Sequence, residues 1–185
     1  MPKRENSHWD EKVHLRELAI QMTGKARPAV LDLFAARGRL WGSLQHGEYL
    51  GMEKDKAKAR TGVLVGDNMK FLPTLDLSGF DIIDCDAFGI PDKQIDAISK
   101  NGTLRDGTVL VYTCIRQGNT PVPRELARHA GVGGIARKAP AMLGRYAGEI
   151  FDNMLSELSP KRTEYVITDG SVTKRYGFIV VNRNK

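Results

Sequence analysis

Five short apolar runs, alternating with polar stretches, constrain the fold of this chain of 185 residues more than any other feature. They cover residues 29–34, 48–53, 62–67, 80–86 and 108–114. Strands that are apolar on both faces are typical of a parallel sheet whose two faces are covered by helices. We therefore predict a doubly wound α/β fold, in which helices follow the second, third and fourth strands at residues 54–60, 68–75 and 92–101.

The N-terminal part of the chain adds one helix to this prediction. Residues 8–23 carry apolar side chains at near-helical spacing and end before Gly24. Ser7 with Asp10 three residues later resembles a capping box, which is typical of the start of a helix.

The C-terminal third of the chain predicts a further helix and a β-hairpin. Pro140 can open the helix, and its apolar face comprises Leu143, Tyr146, Ala147, Ile150, Phe151, Met154, Leu155 and Leu158. Segments 165–168 and 175–182 flank a turn at residues 169–171 and are expected to pair as a hairpin. The predicted sheet is thus mostly parallel and seven-stranded, with an antiparallel C-terminal strand, in a single domain over residues 1–185.

Basic residues exceed acidic ones, and the excess is concentrated in one segment. The chain holds 28 Lys and Arg against 22 Asp and Glu, which gives a net charge of +6. Residues 116–148 contain one acid and six basic residues, so +5 of that excess lies there. The basic residues are Arg116, Arg124, Arg128, Arg137, Lys138 and Arg145. Gly and Pro in the same stretch predict a partly irregular basic insertion over residues 116–139, which favours a polyanionic partner.

Composition disfavours several other classes of protein. Cys85 and Cys114 stand in unrelated contexts, which gives no disulfide framework and indicates a reducing, cytoplasmic compartment. No apolar run approaches the roughly 20 residues that span a bilayer, so we expect no membrane partner. The four histidines are scattered and no Cys and His spacing suits zinc, so no metal site is expected.

Acidic side chains recur at the carboxyl ends of the predicted strands. Asp32, Glu53 and Asp67 close the first three strands, and Asp86 follows the fourth. In a doubly wound sheet, ligands bind beyond these strand ends. Glu53 stands 21 residues after Asp32, about where an acid binds the ribose hydroxyls in nucleotide-binding folds, and Asp67 is placed to accept a hydrogen bond from an adenine amino group.

Residues 30–38, Val-Leu-Asp-Leu-Phe-Ala-Ala-Arg-Gly, resemble the first motif of class I S-adenosylmethionine-dependent methyltransferases. Glu53 and Asp67 match the positions of that family's second and third motifs, and the terminal hairpin matches its sheet. The resemblance covers roughly residues 29–115 and 140–182. It implies a Rossmann-like fold and S-adenosylmethionine as cofactor. The residues implied to bind the cofactor are Asp32, Phe34, Ala36, Gly38, Glu53, Lys54, Asp67 and Asn68.

Residues 84–91, Asp-Cys-Asp-Ala-Phe-Gly-Ile-Pro, resemble the catalytic motif of amino-methylating enzymes, most closely that of tRNA guanine-N2 methyltransferases. The resemblance implies catalytic roles for Asp86, Ala87 and Phe88. An exocyclic amine is a poor nucleophile because its lone pair is conjugated with the ring. Asp86 and the Ala87 carbonyl would accept its N–H groups, and Phe88 would stack on the extruded base.

The expected substrate is therefore nucleic acid, with RNA favoured over DNA. Arg116, Arg124, Arg128, Arg137, Lys138 and Arg145 are expected to bind its phosphates beside the cofactor cleft. The oligomeric state is left open.

Three alternatives stay open at this point. Thr113-Cys114 resembles the nucleophile of RNA cytosine-C5 methyltransferases, with Cys114 as the attacking thiol. A nucleic-acid-binding module with weakened catalysis would carry departures such as Ala36 for Gly and Ala87 for Pro. A small-molecule methyltransferase would share the cofactor half of the site.

Overall fold

The computed structural model of the chain describes residues 8–117, 121–139, 144, 146–169 and 172–182. Within these residues seven strands form one sheet in the order β3-β2-β1-β4-β5-β7-β6. The strands are β1 (Val30–Asp32), β2 (Tyr49–Glu53), β3 (Val63–Val65), β4 (Ile82–Cys85), β5 (Val109–Gln117), β6 (Arg162–Asp169) and β7 (Val172–Val180). The first five are parallel, whereas β7 pairs antiparallel with β5 and β6, as predicted.

Seven helices are described between and before these strands. They are α1 (Trp9–Met22), α2 (Arg39–Gly42), α3 (Asn68–Phe71), α4 (Asp92–Lys100), α5 (Arg124–His129), α6 (Gly133–Lys138) and α7 (Ala147–Leu158). The predicted helices over residues 8–23 and 92–101 are confirmed to within a residue. None of the helices in the described residues has the length and apolar character needed to cross a bilayer.

Alternate residues of the central strands point into two separate cores, one on each face of the sheet. Leu31, Ile83 and Leu110 face the larger core, to which α4 and α7 contribute. On the other face Val30 packs with Leu15 of α1 and with residues of the neighbouring strands. Because both faces are covered, β1 and β4 are buried along their whole length, which explains why apolar residues dominate them, with Asp32 and Asp84 as buried polar exceptions.

The predicted helix over residues 54–60 is wrong, because the segment forms turns. Its composition suits a helix, but Lys54 with Lys58, and Lys56 with Arg60, would place like charges four residues apart on a helix. The segment also offers only alanines to bury, and an isolated helix of this length is marginal. The predicted helix over residues 68–75 is likewise reduced to the four residues of α3.

The boundaries at the two ends of the chain also differ from the predictions. The N-cap of α1 is His8, in the left-handed region with φ of 65° and without a side-chain cap, so the structure shows no capping box over the described residues. Ser7 and Pro140 lie outside the described residues. The hairpin is confirmed but longer than predicted, since β6 begins at Arg162.

The basic insertion is more regular than its Gly and Pro content predicts. Strand β5 runs through Arg116 to Gln117, and two short helices, α5 and α6, follow within the described residues. Helix α5 packs on α4, α6 and α7, on one side of the sheet. Leu126 and Ala127 are buried there, so this part of the insertion belongs to the packed structure.

Candidate functional site

Two cavities open at the carboxyl ends of the parallel strands. Strand β1 pairs with both β2 and β4, so the strand order reverses at β1, where doubly wound sheets bind ligands. The first cavity has a volume of about 320 Å³ and lies beyond β1 and β4, and the second, of about 290 Å³, lies beyond β1, β2 and β3. Phe34 lines both, so the two cavities are neighbours at this residue.

The second cavity is lined by five of the predicted cofactor residues, Phe34, Glu53, Lys54, Asp67 and Asn68. Asp67 caps α3 by accepting a hydrogen bond from the Met69 amide at 3.1 Å. Its other oxygen accepts from the Lys54 ammonium at 3.1 Å. These hydrogen bonds, with Lys54 first, hold the pKa of Asp67 below its ordinary value, so its carboxylate is ionised at neutral pH.

The side chain of Asn68 supports this cavity. Its amide nitrogen donates to the Leu33 carbonyl at 2.7 Å, and its amide oxygen accepts from Gln94 at 3.1 Å. Both polar atoms are therefore engaged by the protein, so Asn68 is better suited to positioning the loop after β1 than to binding a ligand. Lys93 and Gln94, at the start of α4, also line the cavity and were not predicted.

The loop after β1 has a backbone that favours glycine. Ala36, at the position where the methyltransferase motif has Gly, adopts a φ of +44°, and Gly38 adopts +59°. A Cβ atom on Gly38 would lie 2.6 Å from Nε of Arg60, so a side chain there would be strained by the backbone conformation and would also displace the Arg60 guanidinium. The loop thus presents its backbone and Ala36 to the first cavity.

A buried ion pair lies beneath the first cavity. Arg16 of α1 donates to both carboxylate oxygens of Asp84, at 2.7 and 2.9 Å, and the indole of Trp41 donates to the same carboxylate at 2.7 Å. The side chains of Arg16 and Asp84 are each 1% exposed. The fully buried side chain of Trp41 fills the space beside Asp84 and satisfies one of its lone pairs.

Asp32 stands next to this pair at the end of β1. It accepts hydrogen bonds from the Tyr49 hydroxyl at 2.9 Å and from the Phe34 amide at 3.1 Å. Burial, together with the charge of Asp84, raises the pKa of Asp32 to about 8 despite these bonds. Asp32 is therefore largely protonated at neutral pH, and a cation brought into the first cavity would favour its ionised form.

Asp86 lies at the base of the first cavity, held by cations of α1. The Lys12 ammonium contacts its two oxygens, and a guanidinium nitrogen of Arg16 lies 3.3 Å from Oδ2. Burial opposes ionisation, but the charges of Arg16 and Lys12 and a hydrogen bond from Thr113 outweigh it, so the pKa of Asp86 is lowered. Asp86, the predicted acceptor for the substrate amine, is therefore ionised, and both of its oxygens accept hydrogen bonds from Lys12.

Phe88 and Ala87 follow Asp86 and also line the first cavity. Phe88 is 99% exposed, which is unusual for a large apolar side chain and leaves its ring free to stack on a ligand. Ala87 is buried, and no described residue donates a hydrogen bond to its carbonyl oxygen. The three predicted catalytic residues are therefore together, next to Asp32, Phe34, Ala36 and Gly38.

The residues predicted to bind phosphates were expected beside the cofactor cleft, but four of them lie away from both cavities. Arg124, Arg128, Arg137 and Lys138 lie on α5 and α6, and none of them lines either cavity. Arg128 pairs with Asp96 at 3.1 Å and with Glu125 at 2.9 Å. Arg116 follows Ile115, which lines the first cavity, and the side chain of Arg145 lies outside the described residues.

Several residues of the first cavity were missed by sequence reasoning. Lys12 and Arg16 are four residues apart, which places them on one face of α1, and this spacing of two cations on an otherwise apolar face was the available signal. The other unpredicted polar or aromatic residues that line it are Trp9, Arg39, Lys58 and Asp84. Over the described residues, no three His, Cys, Asp or Glu side chains form a group suited to a metal ion.

Cys114 lacks the properties of a nucleophile. It is buried, and it lines neither cavity. Burial raises the pKa of its thiol to about 12 even though Arg175 favours the thiolate. The reactive thiolate is therefore essentially absent at neutral pH, and the structure gives no support to the cytosine-C5 alternative.

No protein-family model and no curated protein sequence matches this chain. Solved structures do match its fold. The N-methyltransferase NodS from Bradyrhizobium japonicum aligns with a TM-score of 0.57 and 14% identity over 96% of this chain and 98% of NodS. The plantazolicin methyltransferase BamL, solved with a triazolic desmethylPZN analog and S-adenosylhomocysteine, aligns with a TM-score of 0.56 and 10% identity over 94% and 84%.

The N-terminal domain of EvdMO1 with bound S-adenosylhomocysteine aligns with a TM-score of 0.54 and 11% identity over 92% of this chain and 81% of that domain. The strand order and the antiparallel terminal strands are those of the same architecture. The chain therefore has the fold of class I S-adenosylmethionine-dependent methyltransferases.

Proposed function

We propose that this protein is an S-adenosylmethionine-dependent methyltransferase that modifies nucleic acid at an exocyclic base amine. One observation carries the proposal: the cavity lined by Glu53 and Asp67 and the cavity lined by Asp86 and Phe88 adjoin at Phe34. A cofactor bound in the second cavity can therefore extend its methyl-donating end towards a substrate amine bound in the first cavity.

The second cavity fits the adenosine part of the cofactor. Glu53 offers a carboxylate for the ribose hydroxyls, although one of its oxygens also accepts from the Asp55 amide at 2.7 Å. Asp67 offers an ionised acceptor for the adenine amino group once the exposed Lys54 moves aside. Asp32, at the boundary of the first cavity, would gain its charge when the cationic end of the cofactor approaches.

The first cavity fits an amine on an aromatic ring. Bound S-adenosylmethionine supplies a methyl carbon attached to a sulfonium, which a nitrogen lone pair attacks as the carbon–sulfur bond breaks. Asp86 and the Ala87 carbonyl are placed to accept the amine N–H groups, which orients the lone pair and takes up the developing positive charge. The proton released from the methylated nitrogen leaves to solvent or through Asp86. Exposed Phe88 offers a stacking surface for the base.

This mechanism requires the Lys12 ammonium to leave Asp86 when the amine binds. Lys12 is 13% exposed and reaches Asp86 from the second turn of α1, so a rotamer change of its flexible stem frees the oxygens without moving the helix. Arg16 then remains to keep Asp86 ionised. The resemblance of residues 84–91 favours guanine N2 as the target amine and RNA as the substrate.

Two other functions are supported by particular observations. The Lys12–Asp86 contact and Ala87 in place of Pro favour a nucleic-acid-binding module with weakened catalysis. BamL was solved with a plantazolicin analog, which favours a small-molecule acceptor. The exposed ring of Phe88 and the cations around the same cavity favour nucleic acid over a small molecule.

Calorimetry with S-adenosylhomocysteine and transfer of a tritiated methyl group test the proposal together. We expect submillimolar binding, and transfer from labelled S-adenosylmethionine into total RNA, with methylguanosine found on nucleoside analysis. Asp86→Asn should abolish transfer and keep cofactor affinity, whereas Asp76→Asn, on an exposed acid that lines neither cavity, should change neither. Absence of cofactor binding overturns the proposal, and binding of cofactor and RNA without transfer supports the module instead.

A further inference from the structure

We propose that the phosphates of the substrate strand are bound by a basic rim at the mouth of the first cavity, formed by Arg37, Arg39, Lys58 and Arg60. This inference rests on the proposed function, since it names the surface that holds the nucleic acid beside Asp86. It replaces the basic insertion as the principal phosphate-binding surface.

The four cations of the basic rim lie around Gly38, in the loop after β1. Arg37 and Arg39 flank Gly38 in sequence and line the first cavity, and Lys58 lines it from the segment after β2. The guanidinium of Arg60 packs on Gly38, where an added Cβ would lie 2.8 Å from its Cζ. The rim therefore borders the cavity that contains Asp86 and Phe88, the residues proposed to hold the base.

The four cations of the rim are exposed, and over the described residues only Lys58 forms an ion pair with a carboxylate. Arg37, Arg39 and Arg60 form no ion pair with a carboxylate of the described residues. Lys58 lies 3.6 Å from Asp55, but both side chains are about half exposed, so water competes strongly for this pair. A guanidinium without a carboxylate partner keeps its paired donors for the oxygens of a phosphate.

The acidic side chains that line the first cavity do not neutralise the positive charge of the rim. Asp84 is paired with Arg16, Asp86 is paired with Lys12 and Arg16, and the raised pKa of Asp32 keeps it largely neutral. The mouth of the cavity therefore presents excess positive charge next to an exposed aromatic ring. Cations along a strand path combined with a stacking side chain are the usual means of binding single-stranded nucleic acid.

The α5–α6 cations are less suited to the same role. Arg128 already binds two carboxylates, and Arg124, Arg137 and Lys138 lie on helices that line neither cavity. A phosphate bound there would not border the site of Asp86 in the described part of the chain.

Two triple variants with the same change in net charge test the rim. The rim variant carries Arg37→Gln, Arg39→Gln and Lys58→Gln, and the matched variant carries Arg124→Gln, Arg137→Gln and Lys138→Gln. Binding of a fluorescein-labelled single-stranded RNA, and of a DNA of the same sequence, is measured over a range of salt concentrations. Each phosphate contact to a single strand contributes about 0.7 to the slope of log K against log salt. We expect the rim variant to lower this slope by about 2 and the matched variant to leave it unchanged.

Other outcomes overturn the rim and leave the proposed function to its own test. An equal or larger loss in the matched variant assigns the phosphates to α5 and α6. Loss of S-adenosylhomocysteine affinity in the rim variant, with the RNA slope retained, assigns these arginines to the cofactor. If the rim variant fails to fold, as judged by thermal unfolding, Arg39→Gln alone is used and should lower the slope by about 0.7. The RNA and DNA arms show which of the two phosphodiester strands is preferred.

Discussion

The ammonium of Lys12 lies 2.8 and 2.9 Å from the two carboxylate oxygens of Asp86, which stands 74 positions further along the chain. Helix α1 therefore forms one wall of the first cavity, although it precedes all of the strand motifs in the chain. Lys12 also lies 5.5 Å from the ring centroid of Tyr176, a cation–π contact that adds to its pairing with Asp86. The ionisation of Asp86 is thus favoured by Lys12 and Arg16 of α1, a helix that lies outside the motif of residues 84–91.

Removing the Lys12 charge should change the pH dependence of methyl transfer. In Lys12→Met the pKa of Asp86 rises, because one of the cations that lowers it is lost while burial remains. Asp86 must be ionised to accept the amine, so the acid limb of the pH profile of kcat/KM, which reports the free enzyme in which Lys12 contacts Asp86, is expected to move to higher pH. Lys25→Met, which breaks the comparable contact of Lys25 with Asp81 at 2.8 Å, should leave the limb in place. An unchanged limb in Lys12→Met would mean that Asp86 does not act as this acceptor.

Replacing Ala36 by Gly should stabilise the fold. Ala36 holds a φ of +44°, and a left-handed conformation costs a residue with a Cβ about 1 kcal/mol relative to Gly. Urea denaturation of Ala36→Gly is expected to show a gain of about 1 kcal/mol in the free energy of unfolding. Ala57→Gly, on an exposed alanine without positive φ, should instead lose about 0.5 kcal/mol. A loss in Ala36→Gly would show that the loop is relaxed differently in solution.

Removing the Arg16 guanidinium should be strongly destabilising. Arg16→Met leaves the Asp84 carboxylate buried with only Trp41 as a donor from its described side-chain partners, and such losses cost about 3–5 kcal/mol. Adding Asp84→Asn removes the orphaned charge and should recover part of this loss in a double-mutant cycle. Lys100→Met, which breaks the exposed pair with Asp96, should cost less than about 1 kcal/mol in the same urea experiment. A small effect of Arg16→Met would contradict the buried pair.

Asp32 should make stability fall as pH rises. The folded protein keeps the Asp32 proton until about pH 8, whereas the unfolded chain releases it near about pH 4. Its contribution to stability is therefore complete below the unfolded pKa and is lost as pH rises through the folded pKa. Urea denaturation between about pH 5 and pH 9 should show this decline in the wild type and a flatter profile in Asp32→Asn. The same decline in both proteins would show that other groups cause it.

The sheet and the strand-end acids were accessible from the sequence for one physical reason. Buried parallel strands are apolar on both faces, so β1 and β4 are visible in the sequence as short segments dominated by apolar residues. The carboxyl ends of parallel strands share one edge of the sheet. Acids that close successive strands, such as Asp32 and Asp86, are therefore brought together without any knowledge of their side-chain contacts.

The contacts that determine the state of these acids were not accessible in this way. Arg16 binds Asp84 across 68 residues, and no local pattern connects the two. Residues 54–60 resemble a helix in composition, but they form turns that bring Lys58 to the cavity and Arg60 to Gly38. The charge count therefore predicted a phosphate-binding surface in the basic insertion, whereas the cations beside Asp86 come from shorter segments dispersed along the chain.

The buried pair between Arg16 and Asp84 has a consequence for the order of folding. Helix α1 leaves the ribosome well before β4. Until β4 arrives, the Arg16 guanidinium can bond to the Lys12 carbonyl within α1 but has no Asp84 carboxylate to pair with. We therefore expect the docking of α1 on the sheet to follow the pairing of β1 with β4, a contact of large sequence separation that is slow to form. The nascent chain is expected to keep α1 undocked during synthesis and to complete the wall of the first cavity among its last folding events.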